Sequence, residues 1–428
     1  MTVSLLWAIL LFIVPFFLSS PIFVCFVLSS FVILFFTANM PGITIALQAI
    51  SAVQGFSLVA IPFFILLGYI MVESKAITSL FDLVRIFMGS FKAGLGMAVI
   101  MGSALFGTMC GSGVATAVAM SSAAGPELIR AGYSKNRAAA IAGAAGCLGF
   151  MIPPSVVGVI LAEVTQTSVA ELFAAIVIPG FLIALMECVT CYFTCRDIPT
   201  IKSEPKCDWS TKKKALYRAM PAFLIPAVLF VVIYAGIATP TEASAIACSA
   251  ALLVGIFFYR QLTWGGLKRA LKNTIISSST IFCIIFGAVL FGRSLAVLGL
   301  PQAIASWATG SSLSPVLFLF VFSIIFLILG TFLDIFAMLY ICLPPVLPAV
   351  TALGIDPIHF SVVFLTAAFV GQITPPVCIT LYAATTPLEA DVTQTIKYAL
   401  PYLGAVLLSL ILVILFPTLS LFMVGLMN

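Results

Sequence analysis

The feature that most constrains this chain is a set of helix breakers placed inside long apolar runs. Phe106-Gly107-Thr108-Met109-Cys110-Gly111-Ser112-Gly113 and Gly149-Phe150-Met151-Ile152-Pro153-Pro154-Ser155 both interrupt stretches that otherwise read as buried or membrane helix. Gly weakens a helix, and Pro removes a backbone donor and clashes with the preceding turn. In lipid such breaks persist only where protein or a polar cavity satisfies the freed backbone groups. The breakers also recur. Pro126 and Pro348 lie 222 residues apart, and the same offset separates Gly132 from Gly354, Gly149 from Gly371, Pro153 from Pro375, Pro154 from Pro376 and Pro179 from Pro401. Six Gly or Pro pairs in one register mark an internal repeat.

Composition says what surrounds these breaks. Of 428 residues, 63% are hydrophobic and 8% charged, with a mean hydropathy of +1.27. Those values lie outside the soluble range, and many runs reach the ~20 residues that span a bilayer. The net charge of +5 is small but localised. Seven Lys or Arg fall between Arg196 and Arg218, and four between Arg260 and Lys272. They read as cytoplasmic loops under the positive-inside rule, not as nucleic-acid patches. The 11 Cys are scattered through apolar segments, which argues against a disulfide framework. Cys188, Cys191 and Cys195 have metal-like spacing but no nearby His, and read as packing residues. His359, the single histidine, opens a helix and reads as structural.

The same rule orients the spans. Leu5 to Phe36 is expected to form two short spans about a Ser19-Ser20 turn, with no small-residue cleavage site of a removable leader. Asn39 to Gln54 reads as interfacial, Phe56 to Met71 as a span, and Glu73 to Lys92 as a partly charged connector. Ala93 to Ala124 is flanked on both sides by basic residues, so both its ends lie inside. A re-entrant hairpin and two full spans both satisfy that parity. Arg137 to Glu163 then crosses outward, broken at Pro153-Pro154. Leu172–Phe193, Ala219–Ala235, Ala243–Phe258 and Thr274–Leu298 follow as spans. Leu300 to Ser314 lacks Lys and Arg, as an external connection should.

In the second half, Val316 to Val350 corresponds to the first hairpin and breaks near Gly330-Thr331. His359 to Leu381 corresponds to the broken helix and breaks at Gly371-Gln372-Ile373-Thr374-Pro375-Pro376. Four full spans and one hairpin separate the two broken helices, so the second runs opposite to the first. The expected fold is therefore an all-α polytopic membrane protein, an inverted-topology repeat with two re-entrant hairpins and two discontinuous helices. Within one transmembrane unit, residues 93–190 form the first repeat core. Residues 191–298 form scaffold helices and cytoplasmic loops, and 315–412 form the second repeat core.

Such breaks expose carbonyls, which suit a hard cation, beside helix N-termini, which suit an anionic group. The cation candidates in the first half are Gly107, Cys110, Gly149, Ile152 and Pro154 with the Ser112 side chain. In the second half they are Gly330, Thr331, Gly371, Thr374 and Val377. Asp334, four residues past Gly330, is an intramembrane carboxylate that needs a role or a partner. Arg293, near the outer end of its run, attracts an anionic substrate or snorkels to the interface. Ser155 and these two charged residues are the substrate candidates. No phosphate-binding loop, Gly-x-Ser-x-Gly or His-Glu-x-x-His is present, so an enzyme has little support.

Gly149-x-x-Ile152-Pro153-Pro154-Ser155, Gly132-Tyr133, Gly330-Thr331-Phe332-Leu333-Asp334, Gly354-Ile355-Asp356-Pro357 and Gly371-x-x-Thr374-Pro375-Pro376-Val377 together carry a resemblance over nearly the whole chain. It resembles the large membrane subunit of tripartite ATP-independent periplasmic (TRAP) transporters, the DctM-like family. The resemblance implies an elevator-type carrier in the bacterial inner membrane that imports small organic acids with Na⁺ as coupling ion. It also implies two partners, a small four-helix membrane subunit and a periplasmic substrate-binding protein. Na⁺ would lie where each hairpin tip meets its broken helix, on the candidates above. Gly107 and Cys110 stand where hydroxyls are common in the family, which leaves backbone carbonyls as ligands there. Cys378 stands where Gly is usual. A stand-alone Na⁺/carboxylate symporter of related architecture is the alternative.

Overall fold

The apolar runs fold as helices, which satisfy their own backbone within the segment. A computed structural model of the chain describes residues 2–205, 207–311 and 313–427, and these contain no strand. Helices α1 (Thr2–Phe17) and α2 (Ile22–Val32) flank the Ser19-Ser20 turn, and α2 runs on into a π-helical turn, Ile33–Thr37. The interfacial stretch forms α3 (Gly42–Ser51). A 3₁₀ turn, Phe56–Val59, leads into the span α4 (Ala60–Glu73). The connector after it is itself a helix, α5 (Ala76–Met88), with Ile77, Leu80, Phe81 and Val84 buried along one face.

The first hairpin is α6 (Gly94–Cys110) and α7 (Gly113–Arg130), separated by Gly111 and Ser112. Its reversal is local: Gly111 adopts φ +62°, and the Ser112 hydroxyl accepts from Ala115 N at 3.4 Å to cap α7. A Cβ on Gly111 would stand 2.8 Å from Val156 N, at the break of the next helix. The tip therefore lies at the depth of a mid-span break, which makes this a re-entrant hairpin and not two full spans. The broken helix comprises α8 (Lys135–Gly146), a short turn α9 (Leu148–Met151) and α10 (Val156–Thr165), bent by 47°.

Helices α11 (Val169–Cys195), α12 (Trp209–Tyr234), α13 (Pro240–Leu253) and α14 (Trp264–Val297) are the four intervening spans. The basic stretches are loops only in part. Lys212–Lys214 and Arg218 belong to α12, and Lys268, Arg269 and Lys272 to α14. Lys and Arg are good helix formers, and at a span end their heads reach the aqueous side. The external connection likewise contains a helix, α15 (Leu300–Gly310).

The second hairpin is α16 (Pro315–Gly330) and α17 (Ile335–Ala352). The second broken helix is α18 (Pro357–Ile373) and α19 (Ile379–Thr385), and α20 (Val392–Leu415) and α21 (Thr418–Gly425) complete the chain. The repeat extends outside the sequence motifs, since α5 and α15 lie at nearly the same offset as the hairpins. The halves interlock. In the first half α10 packs on α17, and in the second α19 packs on α7, so the second half-helix of each broken pair seats against the other repeat's hairpin.

The interlocked core is asymmetric toward the rest of the chain. α10 abuts α4, and α17 abuts α14 and α15. Residues Val156 to Ala162 are buried throughout. Their counterpart α19 exposes Tyr382, at 61%, beside exposed Val114 and Val118 of α7. The open side is the one to which α7 and α19 run, toward Arg130, Lys135 and Arg137, which is the cytoplasmic side.

Candidate functional site

Each Pro-Pro pair frees two carbonyls, because a Pro at position i leaves the carbonyl at i−4 without its helical donor. Pro153 and Pro154 free Gly149 and Phe150, and Pro375 and Pro376 free Gly371 and Gln372. Both Pro-Pro bonds are cis. In the second break, Gly371 O accepts from Thr374 N at 3.1 Å, and Gln372 O accepts from the Thr380 hydroxyl at 3.2 Å.

Each hairpin meets its broken helix through a pair of glycines. A Cβ on Gly107 would lie 2.7 Å from Gly149 Cα and 3.0 Å from Leu148 O. A Cβ on Gly371 would lie 2.7 Å from Gly330 Cα and 3.0 Å from Leu327 O. No side chain fits either crossing, so the two backbones lie in contact. Beside the first crossing, a Cβ on Gly149 would meet Ser112 O at 2.8 Å and would overlap the Thr116 hydroxyl. Thr116 is fully buried and its hydroxyl has no hydrogen-bond partner. A buried orphan oxygen next to a freed carbonyl is what an oxygen-seeking cation requires.

The structure thus brings together Gly107, Ser112, Gly149, Ile152 and Pro154 at one break, and Gly330, Thr331, Gly371 and Thr374 at the other. Cys110 ends α6, and its thiol sits between α4, where a Cβ on Gly68 would stand 3.2 Å from the sulfur, and the first break, where it meets the Thr116 side chain and the Ser112 backbone. Gly107 O accepts from Gly111 N at 3.0 Å. Thr331 and Thr374 donate their hydroxyls to Ile328 O at 2.8 Å and Val370 O at 2.6 Å, leaving their lone pairs free. Val377 is exposed on the open side.

Ser155 is fully buried, and its hydroxyl accepts from Gly158 N at 3.0 Å to start α10. Asp334 is the counterpart of Ser112. Its carboxylate accepts from Phe336 N at 3.0 Å and caps α17, so hydrogen bonding to a helix start meets its need for a partner. Arg293 lies on an exposed face of α14, in a different element from either break, and fits the snorkelling alternative.

Sequence reading missed Thr116, Phe150, Gln372 and Thr380. The Pro i−4 rule points to Phe150 and Gln372 directly. Thr116 and Thr380 carry no such signal, since their importance comes from packing across elements.

These features define an all-helical, multi-pass membrane protein built from two hairpins and two broken helices. The sequence profile of the family described as tripartite ATP-independent periplasmic transporter, DctM component, matches residues 9–419. A C4-dicarboxylate TRAP transporter large permease protein of Pseudomonas aeruginosa is 35% identical over 381 residues, 88% of each chain. A sialic acid TRAP transporter large permease protein of Vibrio cholerae is 32% identical over 399 residues, 92% of each. In fold, the chain is similar to the Alcanivorax borkumensis YdaH transporter, with a TM-score of 0.65 at 19% identity over 87% of each chain. The chain belongs to the DctM family of TRAP transporters. It is a transporter permease component of the inner membrane and not an enzyme.

Proposed function

We propose that this chain is the large membrane subunit of a Na⁺-coupled importer of small organic acids. A periplasmic binding protein delivers the substrate, and a small four-helix membrane subunit completes the membrane complex. Relatives named for C4-dicarboxylate and sialic acid support a carboxylate substrate. The observation that carries Na⁺ coupling is the orphan Thr116 hydroxyl beside the freed Gly149 carbonyl. Hard oxygen donors in a water-poor crossing suit an alkali cation.

Na⁺ enters this reading as a co-transported ion. The first-repeat crossing holds one ion through Ser112, Thr116 and the Gly107 and Gly149 backbones. The second holds another through Thr331, Thr374 and the Gly330 and Gly371 backbones. Substrate carboxylate then binds at the N-termini of α7 and α10, where unpaired N–H groups favour an anion. The core of hairpins and broken helices moves against the scaffold in an elevator-type step, and the exposed side of α7 and α19 is its cytoplasmic opening.

The test is uptake of labelled carboxylates into proteoliposomes holding this chain and both partners, with and without an inward Na⁺ gradient. Gradient-driven accumulation is expected. Equal uptake without Na⁺ overturns the coupling, and full uptake by this chain alone overturns the three-part assembly in favour of a stand-alone symporter.

A further inference from the structure

One ionisable group inside the core has no part in these crossings. Glu187 lies on α11, fully buried, and neither carboxylate oxygen has a hydrogen-bond partner. No Lys or Arg pairs with it among the described residues. An ionised carboxylate so placed is strongly disfavoured without a counter-charge.

The surroundings decide what Glu187 binds. The ionisable groups nearest it are thiols: Cys147 on α8 and Cys188 on its own helix. One turn further along α11, Cys191 and Cys195 lie against Tyr402 of α20 and Tyr133 at the α7–α8 turn. His359 of α18 pairs with Ser420 of α21 at the other end, and Glu163 lies at the outer end of α10. Soft sulfur and apolar walls do not suit an alkali cation, which takes oxygen ligands. No group of three metal-ligating side chains forms among the described residues. A proton needs no ligand set and removes the charge outright.

The position links this group to both crossings. Glu187 is two helical turns, about 10 Å, along one face of α11 from Gly180. A Cβ on Gly180 would stand 2.9 Å from Ile152 at the first break. Toward the second break runs a chain of hydrogen bonds. The Cys147 thiol donates to the Thr380 hydroxyl at 3.4 Å, and Thr380 donates to Gln372 O at 3.2 Å. The Gln372 side-chain amide donates to Leu333 O at 3.0 Å, at the second hairpin tip.

We propose that Glu187 is a proton-binding site of the moving core, taking its proton from water and returning it to water during the transport cycle. Bound, the proton neutralises the carboxyl, and the Cys147–Thr380–Gln372 chain relays its state to the second hairpin.

The test combines infrared spectroscopy with uptake, both on the complex reconstituted with its partners. The protonated carboxyl C=O band should be present at neutral pH and absent in Glu187→Gln. The pH profile of uptake should flatten in the same variant. A band that survives the substitution overturns the proposal, and so does a lost band with an unchanged pH profile. Should Glu187→Gln fail to fold, Glu187→Asp must move the C=O band to the position of an aspartic acid, and an unmoved band overturns it. The uptake arm rests on the carrier reading above. The infrared arm does not, so the two fail separately.

Discussion

Gly107 and Gly149 cross with their backbones in contact, and a single added methyl on Gly107 would stand 2.7 Å from Gly149 Cα. Gly330 and Gly371 repeat the crossing in the other half, with 2.7 Å from a Gly371 Cβ to Gly330 Cα. Both obstacles are backbone atoms, which cannot rotate away as a side chain would. The two halves share this one device for bringing a hairpin tip against freed carbonyls.

Gly107→Ala and Gly371→Ala should each therefore destabilise the protein by about 1–3 kcal/mol through overpacking, and should abolish uptake even where folding survives. Gly404→Ala is the control, because nothing lies within 4 Å of its Cβ position. There the change should be neutral or slightly stabilising, by up to about 1 kcal/mol. Thermal unfolding in detergent, alongside uptake, checks both; wild-type uptake by Gly107→Ala would mean the crossing tolerates separation.

Thr374→Ala removes a hydroxyl that donates to Val370 O at 2.6 Å and keeps its lone pairs free. Uptake should then need more Na⁺ for half-activation. Thr116→Ala should do the same at the first crossing and cost little stability, since its hydroxyl loses no more than a weak contact with the Cys110 thiol. Unchanged Na⁺ activation removes the residue concerned from its site.

Much of this arrangement was legible in the residues. Pro153-Pro154 and Pro375-Pro376 had to break their helices, whatever surrounded them, and their shared offset exposed the repeat. Gly107 and Gly371 were visible as breakers, and the family resemblance set each hairpin tip against its broken helix, with Gly149 and Gly330 among the candidates; that the backbones touch was not visible, because close approach is a property of two segments. Asp334 looked like an isolated charge in an apolar run. Its capping role depended on where α17 begins, and one residue's difference there would have left it unpartnered. Lys212 to Lys214 read as loop from charge alone, although a span end accommodates them within the helix.

The asymmetry between α10 and α19 gives an accessibility prediction. In a background with Cys207 and Cys283 replaced by Ser, Tyr382→Cys and Val118→Cys should react rapidly with a polar thiol reagent supplied from the cytoplasmic side. Val159→Cys, at a fully buried position of α10, should not react. Faster labelling of Val159→Cys than of Tyr382→Cys would mean that the populated state opens the other way.

Arg85 is placed to bias that state. Its guanidinium on α5 pairs with Glu127 at the base of α7 and donates from Nε to Glu204 at 2.6 Å. The segment around Glu204 ties the same elements through backbone. Glu204 N donates to Gly89 O at 2.9 Å, just past α5, and Lys202 N donates to Ala131 O at 2.9 Å, just past α7. All three charged side chains are partly exposed, so each pair contributes only about 0.2–1 kcal/mol. That is too little to decide folding, yet enough to shift a two-state equilibrium about 1.4- to 5-fold if the pair exists in one state alone. Arg85→Gln should therefore leave the melting temperature nearly unchanged while lowering the labelling rate of Tyr382→Cys by a few-fold. High salt should produce part of the same effect in the parent protein by screening. Equal labelling in both proteins would show that the Arg85 pairs exist in both states, so that α5 keeps its place beside α7.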